Sequence, residues 1–101
     1  MKFLRLLAER IKHGYKISDD CYLCGGSRDY DVVKFKGRKI EIFMERQPGK
    51  PSIFIYPSKD RKWLPPYEDD PISDADYNFI IDVIVKHYEQ RGEVVERRPP
   101  H

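Results

Sequence analysis

Two stretches in the middle of the chain alternate apolar and polar side chains, which is the pattern of half-buried β-strands. They cover residues 30–35 and 40–45 and are joined by a short charged turn that contains Gly37. Two such runs around a glycine-containing turn predict a β-hairpin. A further apolar run at residues 52–56, which ends at Pro57, predicts a third strand, so that the three strands form an antiparallel meander.

A helical period replaces this alternation in the last third of the chain. Ser73 is a good N-cap with Asp76 three residues later, and Gly92 follows the last position of the pattern. The sequence therefore predicts a long helix between Ser73 and Gly92. Its apolar stripe consists of Tyr77, Ile80, Ile81, Ile84, Val85 and Tyr88.

The two ends of the chain complete the predicted architecture. Residues 3–11 have the apolar spacing of a short amphipathic helix, residues 15–27 predict at most a short strand before a turn, and residues 93–97 predict a terminal strand. The resulting order, α-β-β-β-α-β, predicts an α+β two-layer sandwich in which the long C-terminal helix covers one face of a mostly antiparallel sheet. The connection that contains this helix is long enough for the last strand to pair in parallel. We expect one domain over residues 1–97 and a disordered tail at residues 98–101.

The composition is that of one small globular domain with a heavily charged surface. The 101 residues include 19 Lys and Arg and 17 Asp and Glu, and this net charge of +2 is too balanced for general binding to nucleic acid. The apolar run at the N-terminus is interrupted by Arg5 and ended by Glu9, and no segment reaches the roughly 18 apolar residues of a membrane span. We therefore expect a cytoplasmic protein with reduced thiols that does not contact a membrane.

Cys21 and Cys24 form a C-x-x-C step of the kind that supplies half of a zinc site. Zinc in a structural site usually takes four thiolate or imidazole ligands, and the chain has no second pair of cysteines. His13 is near enough in sequence to add a third ligand, whereas His87 falls in the predicted helix and His101 in the tail. The sequence therefore favours a turn with two half-buried thiols and no cofactor. The alternative is a zinc site with Cys21, Cys24 and His13 as candidate ligands.

Neither catalysis nor nucleic-acid binding has a motif of its own. No nucleophile lies beside a histidine and an orienting acid, so we expect a protein that is not an enzyme. The predicted strands interleave basic residues with aromatic residues that could stack on bases, namely Lys34, Lys36, Arg38 and Lys39 with Phe35, Phe43, Phe54 and Tyr56. An RNP-type motif is missing, and a charged hairpin turn explains the basic residues more simply. A small nucleic-acid-associated domain, with a zinc half-site at Cys21 and Cys24, remains the second hypothesis.

The segment Trp63-Leu64-Pro65-Pro66-Tyr67-Glu68-Asp69-Asp70-Pro71-Ile72-Ser73 leads into the isoleucine-rich helix and then Gly92-Glu93-Val94-Val95-Glu96. This arrangement resembles the C-terminal half of a family of small immunity proteins from bacterial polymorphic-toxin systems. The resemblance implies a non-catalytic protein-binding module that inhibits a cognate toxin made by the same cell.

An inhibitor of this kind needs aromatic anchors and charges that complement the toxin's active cleft, and acidic loops suit toxins with basic clefts. On the resemblance, the candidate partner-binding residues are Trp63, Tyr67, Glu68, Asp69, Asp70 and Asp74. The alternative interpretation is that Trp63 packs under the long helix and that the carboxylates are solvated.

Overall fold

The computed structural model of the protein describes residues 14–98. The helix predicted for residues 3–11, His13 and the last three residues of the predicted tail lie outside this range. Within it, the elements are β1 (Tyr15–Ser18), β2 (Cys21–Gly26), β3 (Tyr30–Phe35), β4 (Arg38–Arg46), β5 (Ile53–Tyr56), α1 (Asp74–Gln90) and β6 (Val95–Arg97).

The six strands form one sheet in the order β1-β2-β3-β4-β5-β6. All neighbours are antiparallel except β5 and β6, which are parallel because α1 lies in the connection between them. The predicted α+β class, the mostly antiparallel sheet, the C-terminal helix and the parallel pairing of the last strand are therefore confirmed.

The predicted hairpin joins β3 to β4 through a two-residue turn. Lys36 and Gly37 both have positive φ, at 50° and 85°, which is the backbone combination of a type I′ turn. Phe35 and Arg38, the residues that flank this turn, pair with each other. The register then continues without interruption to the pair Tyr30 and Phe43.

The prediction of three strands ahead of the long helix was wrong, because residues 14–73 contain five. The segment predicted to hold at most one short strand forms both β1 and β2, so the cysteine motif lies in a strand and not in a turn. An extra residue on β2 between Leu23 and Gly26 interrupts its pairing with β3 and hides the period of two. Gly26 is needed there, since a Cβ atom would lie 2.4 Å from the carbonyl oxygen of Tyr30.

The hydrophobic core lies between α1 and the sheet. Alternation on β4 turns Ile40, Ile42 and Met44 inward, where they join the buried side chains of the helix stripe. Burial of an isoleucine as complete as that of Ile80 or Ile84 contributes about 1.5–3 kcal/mol. The helix begins as predicted, with the Ser73 hydroxyl accepting a hydrogen bond from the amide N of Asp76 at 3.0 Å.

The connection between β5 and α1 covers part of the sheet edge that the short strand β5 leaves unpaired. β5 pairs only with the second half of β4. Nearer the start of β4, the amide N of Leu64 donates to the carbonyl oxygen of Lys39 at 2.7 Å. This bond holds the proline-containing segment against the sheet and places Trp63 in the core.

Candidate functional site

The acidic loop, defined here as residues 67–70, follows Pro65-Pro66 in the connection between β5 and α1. Two backbone hydrogen bonds shape it, from the amide N of Tyr67 to the carbonyl O of Leu64 at 3.1 Å and from the amide N of Asp70 to the carbonyl O of Tyr67 at 3.0 Å. These successive turns leave Tyr67, Glu68 and Asp69 exposed.

Arg38, the first residue of β4, fixes the acidic loop to the sheet. Its Nε and Nη2 atoms donate to Oδ2 of Asp70 at 3.1 and 2.9 Å, and its guanidinium lies 4.7 Å from the centre of the Tyr67 ring. The contact combines a charge-assisted hydrogen bond with a cation–π interaction. Because both side chains of the ion pair are partly exposed, it contributes no more than about 1 kcal/mol to stability.

Asp74 has the same kind of partner at the start of α1. It is hydrogen-bonded to Arg61, whose guanidinium lies 4.7 Å from the centre of the Tyr77 ring. The charges of Asp70 and Asp74 are thus balanced by arginines of the same chain. Glu68 and Asp69 form no ion pair with any residue between 14 and 98, so they carry the negative charge that the loop presents to solvent.

Trp63 does not belong to this exposed surface. Its side chain is 5% exposed and packs in the hydrophobic core with Tyr77 of α1. Trp63 thus packs under the long helix, as the alternative interpretation of the sequence has it, and a partner cannot reach its indole. Tyr67, at 39% exposure, is the aromatic side chain of the candidate set that a partner can reach.

The cysteine pair has the geometry of a strand and not that of a metal-binding turn. Cys21 is fully buried and Cys24 half-buried, and alternation along β2 directs side chains three residues apart to opposite faces of the sheet. Burial raises the pKa of the Cys21 thiol to about 11, with a smaller contribution from Cys24, which disfavours the thiolate that a metal ion requires. No group of three or more potential metal ligands occurs within residues 14–98.

A buried polar cluster that the sequence analysis missed joins α1 to β3 and β4. Asp31 is 6% exposed. It accepts a hydrogen bond from Nη2 of Arg46 at 3.0 Å and another from the hydroxyl of Tyr88. Burial and the bond to Asp31 raise the pKa of Tyr88 to about 12. The signal for this cluster was a carboxylate at an inward position of β3, where Val33 and Phe35 occupy the next two inward positions.

The outer face of the sheet, which is turned away from α1, carries a row of aromatic side chains. Tyr30, Phe43 and Tyr56 lie opposite one another on β3, β4 and β5, and Phe43 is 51% exposed. Phe35 and Phe54, which the sequence also offered for base stacking, are only 4% and 7% exposed. Phe35 packs in the core, and Phe54, which pairs with Glu45 on the outer face, lies under the guanidinium of Arg98 at 4.4 Å, so neither ring is open to a base, which weakens the case for a nucleic-acid platform.

Fold and surface together define a small α+β protein whose exposed chemistry, an acidic loop and an aromatic sheet face, is suited to recognition. Residues 24–96 match the family described as Immunity protein 74, and because the match covers most of the chain, the protein belongs to this family. Searches of curated proteins and of solved structures found no match. The predicted resemblance to small immunity proteins is confirmed, and the match begins well before the C-terminal half that suggested it. No helix within the described residues is long and apolar enough to cross a membrane.

Proposed function

We propose that the protein is a non-catalytic inhibitor that binds a cognate bacterial toxin in the cytoplasm of the cell that makes both. Its membership of an immunity protein family supports this role. The observation that carries the proposed interface is the acidic loop, in which Glu68 and Asp69 are exposed and lack an internal counter-ion among residues 14–98.

The way in which the loop is held supports its use in binding. Arg38 contacts both Tyr67 and Asp70, so little conformational freedom is left for a partner to remove. An exposed pair of carboxylates beside a half-exposed tyrosine suits a basic patch, such as the active cleft of a toxin that acts on nucleic acid. The packing of α1 against the sheet provides the scaffold for this surface.

The test is co-expression with the toxin encoded by the adjacent gene, measuring growth and recovery of the complex. We expect the toxin to arrest growth alone and the protein to restore it. A neighbour that is harmless alone, or that remains toxic in the presence of this protein, would contradict the proposed function.

The acidic loop is tested in the same assay with Asp69→Lys. Its matched control is Glu89→Lys, which makes the same charge change on an exposed residue at the opposite end of α1. We expect Asp69→Lys to weaken binding by about tenfold or more, because a like charge then faces the basic patch, and Glu89→Lys to leave it unchanged. Equal effects of the two variants would show that overall charge matters and the loop does not.

A further inference from the structure

Phe43 is the most exposed large apolar side chain among residues 14–98, at 51%. It lies on β4 between two paired strands, with Tyr30 and Tyr56 directly opposite. Its exposure is therefore not a consequence of a sheet edge or a frayed end. With Tyr30 and Tyr56 it forms a contiguous aromatic row on the outer face, and a contiguous exposed patch of this kind, unlike a single exposed side chain, marks an interaction surface.

Carboxylates surround this phenylalanine. Glu41 and Glu45 are two residues away on either side of Phe43, which places them on the same face of the strand. A shallow depression beside the ring is lined by Phe43, Glu45, Asp29 and Tyr56. The hydroxyl of Tyr56 donates to Oε2 of Glu45 at 3.1 Å, which orients that carboxylate.

No cation of the described chain neutralises these carboxylates. Within residues 14–98 there is no ion pair to any of the three carboxylates, Asp29, Glu41 and Glu45. Arg98, which lies over the neighbouring Phe54 ring at 4.4 Å, pairs with Glu96 at 3.3 Å, and Arg46 binds Asp31 and Tyr88. The depression therefore combines an aromatic wall with negative charge that a positively charged partner group can complement.

Elsewhere the chain shows which group fits such a combination. Arginine guanidinium groups lie over tyrosine rings and bind aspartates at three places, namely Arg38 with Tyr67 and Asp70, Arg61 with Tyr77 and Asp74, and Arg46 with Tyr88 and Asp31. A planar guanidinium satisfies both parts at once, since its face stacks on the ring while its edge donates to the carboxylate.

We propose that the depression beside Phe43 is a docking site for an arginine side chain of the partner protein, with the Phe43 ring against the guanidinium and Glu45 and Asp29 as its counter-ions. The identification of that partner as the toxin rests on the proposed function. The site is separate from the acidic loop: five residues along a strand, at about 3.3 Å each, put Phe43 roughly 17 Å from the residue that holds the loop, Arg38. The two residues are an odd number of positions apart, so β4 directs the Arg38 and Phe43 side chains to opposite faces of the sheet, and the two sites are tested separately.

The test measures binding of the catalytically inactivated toxin by titration calorimetry. Phe43→Leu keeps the apolar bulk but removes the aromatic ring, and Glu45→Gln removes the charge but keeps an acceptor for Tyr56. Phe79→Leu is the matched control, because Phe79 is a phenylalanine on α1 that is 41% exposed. Thermal unfolding of each variant checks that the fold is retained.

We expect Phe43→Leu and Glu45→Gln each to weaken binding by about five- to tenfold, and Phe79→Leu to have no effect. Glu45→Gln should also reduce the salt dependence of the affinity, because one charge pair is lost. If the wild-type protein binds the toxin and both variants bind it as tightly as the wild type does, this inference is wrong while the proposed function stands. A wild-type protein that does not bind the toxin overturns both.

Discussion

Asp31 is a carboxylate at a position where β3 would otherwise direct an apolar side chain into the core. Withdrawing it from water is costly, and the cost is offset by the guanidinium of Arg46 and the hydroxyl of Tyr88. These partners are 15 and 57 residues away in the sequence. The sequence alternation can therefore mark Asp31 as unusual, but it cannot identify what satisfies the carboxylate.

Replacing Asp31 with asparagine tests the weight of this cluster. The amide keeps the shape of the side chain but removes the charge that binds Arg46 and alters the bond with Tyr88. We expect the free energy of unfolding, measured in urea, to fall by about 1–3 kcal/mol. Asp29→Asn is the control, since Asp29 is exposed and its substitution should cost less than about 0.5 kcal/mol. Equal losses in the two variants would show that the cluster has no special stabilising role.

At the level of whole elements, the sequence predicts correctly the helix and strands whose local pattern is regular and whose end signals are clear. The helix could be predicted because its stripe, its Ser73 cap and its Gly92 stop all lie within one short segment. β3 and β4 could be predicted because their alternation is regular and their turn contains Gly37. β1 and β2 were missed because two glycines and an extra residue break the period, and pairing with β3 is a contact that the local sequence does not encode.

The candidate site was predicted only in part for the same reason. The acidic loop could be found from composition, but the neutralisation of Asp70 depends on Arg38, which is 32 residues away. The burial of Trp63 depends equally on tertiary packing, since an aromatic residue in a proline-containing connection can either anchor a partner or fill the core. The structure separates Glu68 and Asp69, which face solvent, from the residues that hold them in place.

Arg38 is predicted to control the order of the acidic loop and to have little effect on the stability of the fold. In Arg38→Ala the contacts with Asp70 and Tyr67 are lost, so the loop should open more often. Hydrogen exchange at the amides of Tyr67 and Asp70 should accelerate, while the free energy of unfolding changes by less than about 1 kcal/mol. Lys39→Ala, which removes one neighbouring positive charge, should leave those amides unchanged. Equal protection of the loop in both variants would show that its backbone turns suffice.

For the molecule as a whole, the three arginine–tyrosine–aspartate contacts tie the sheet to the helix and to the connection between them. They neutralise three aspartates, whereas the carboxylates of Glu68 and Asp69 in the acidic loop and of Glu41 and Glu45 around Phe43 have no ion-pair partner among the described residues. Burial also shifts the pKa of two side chains, Cys21 in the core and His87 beside the rings of Tyr15 and Tyr88, and so makes the stability of the whole fold depend on pH.

The two groups act at opposite ends of the pH range. Burial, reinforced by Arg91, lowers the pKa of His87 below its ordinary value of 6.5. The neutral imidazole is therefore favoured in the folded state, and its contribution is present above pH 6.5 and lost as the pH falls through the lower folded pKa. Burial raises the pKa of Cys21 from 9.0 to about 11, so its contribution is complete below pH 9.0 and is lost as the pH rises toward 11.

We therefore predict that the free energy of unfolding is greatest between about pH 6.5 and 9 and declines on both sides. Urea unfolding at about pH 5.5, 7.5 and 10.5 measures the two declines.

His87→Gln should reduce the decline on the acid side and leave the alkaline side unchanged, whereas Cys21→Ala should do the reverse. Since Cys21→Ala also leaves a cavity, the comparison uses the change with pH and not the absolute stability. Alkaline loss should be reduced but not abolished in Cys21→Ala, because the raised pKa of Tyr88 makes the folded state resist its ionisation as well. Variants that keep the full wild-type dependence would show that neither packing contact sets the pH range over which this fold is stable.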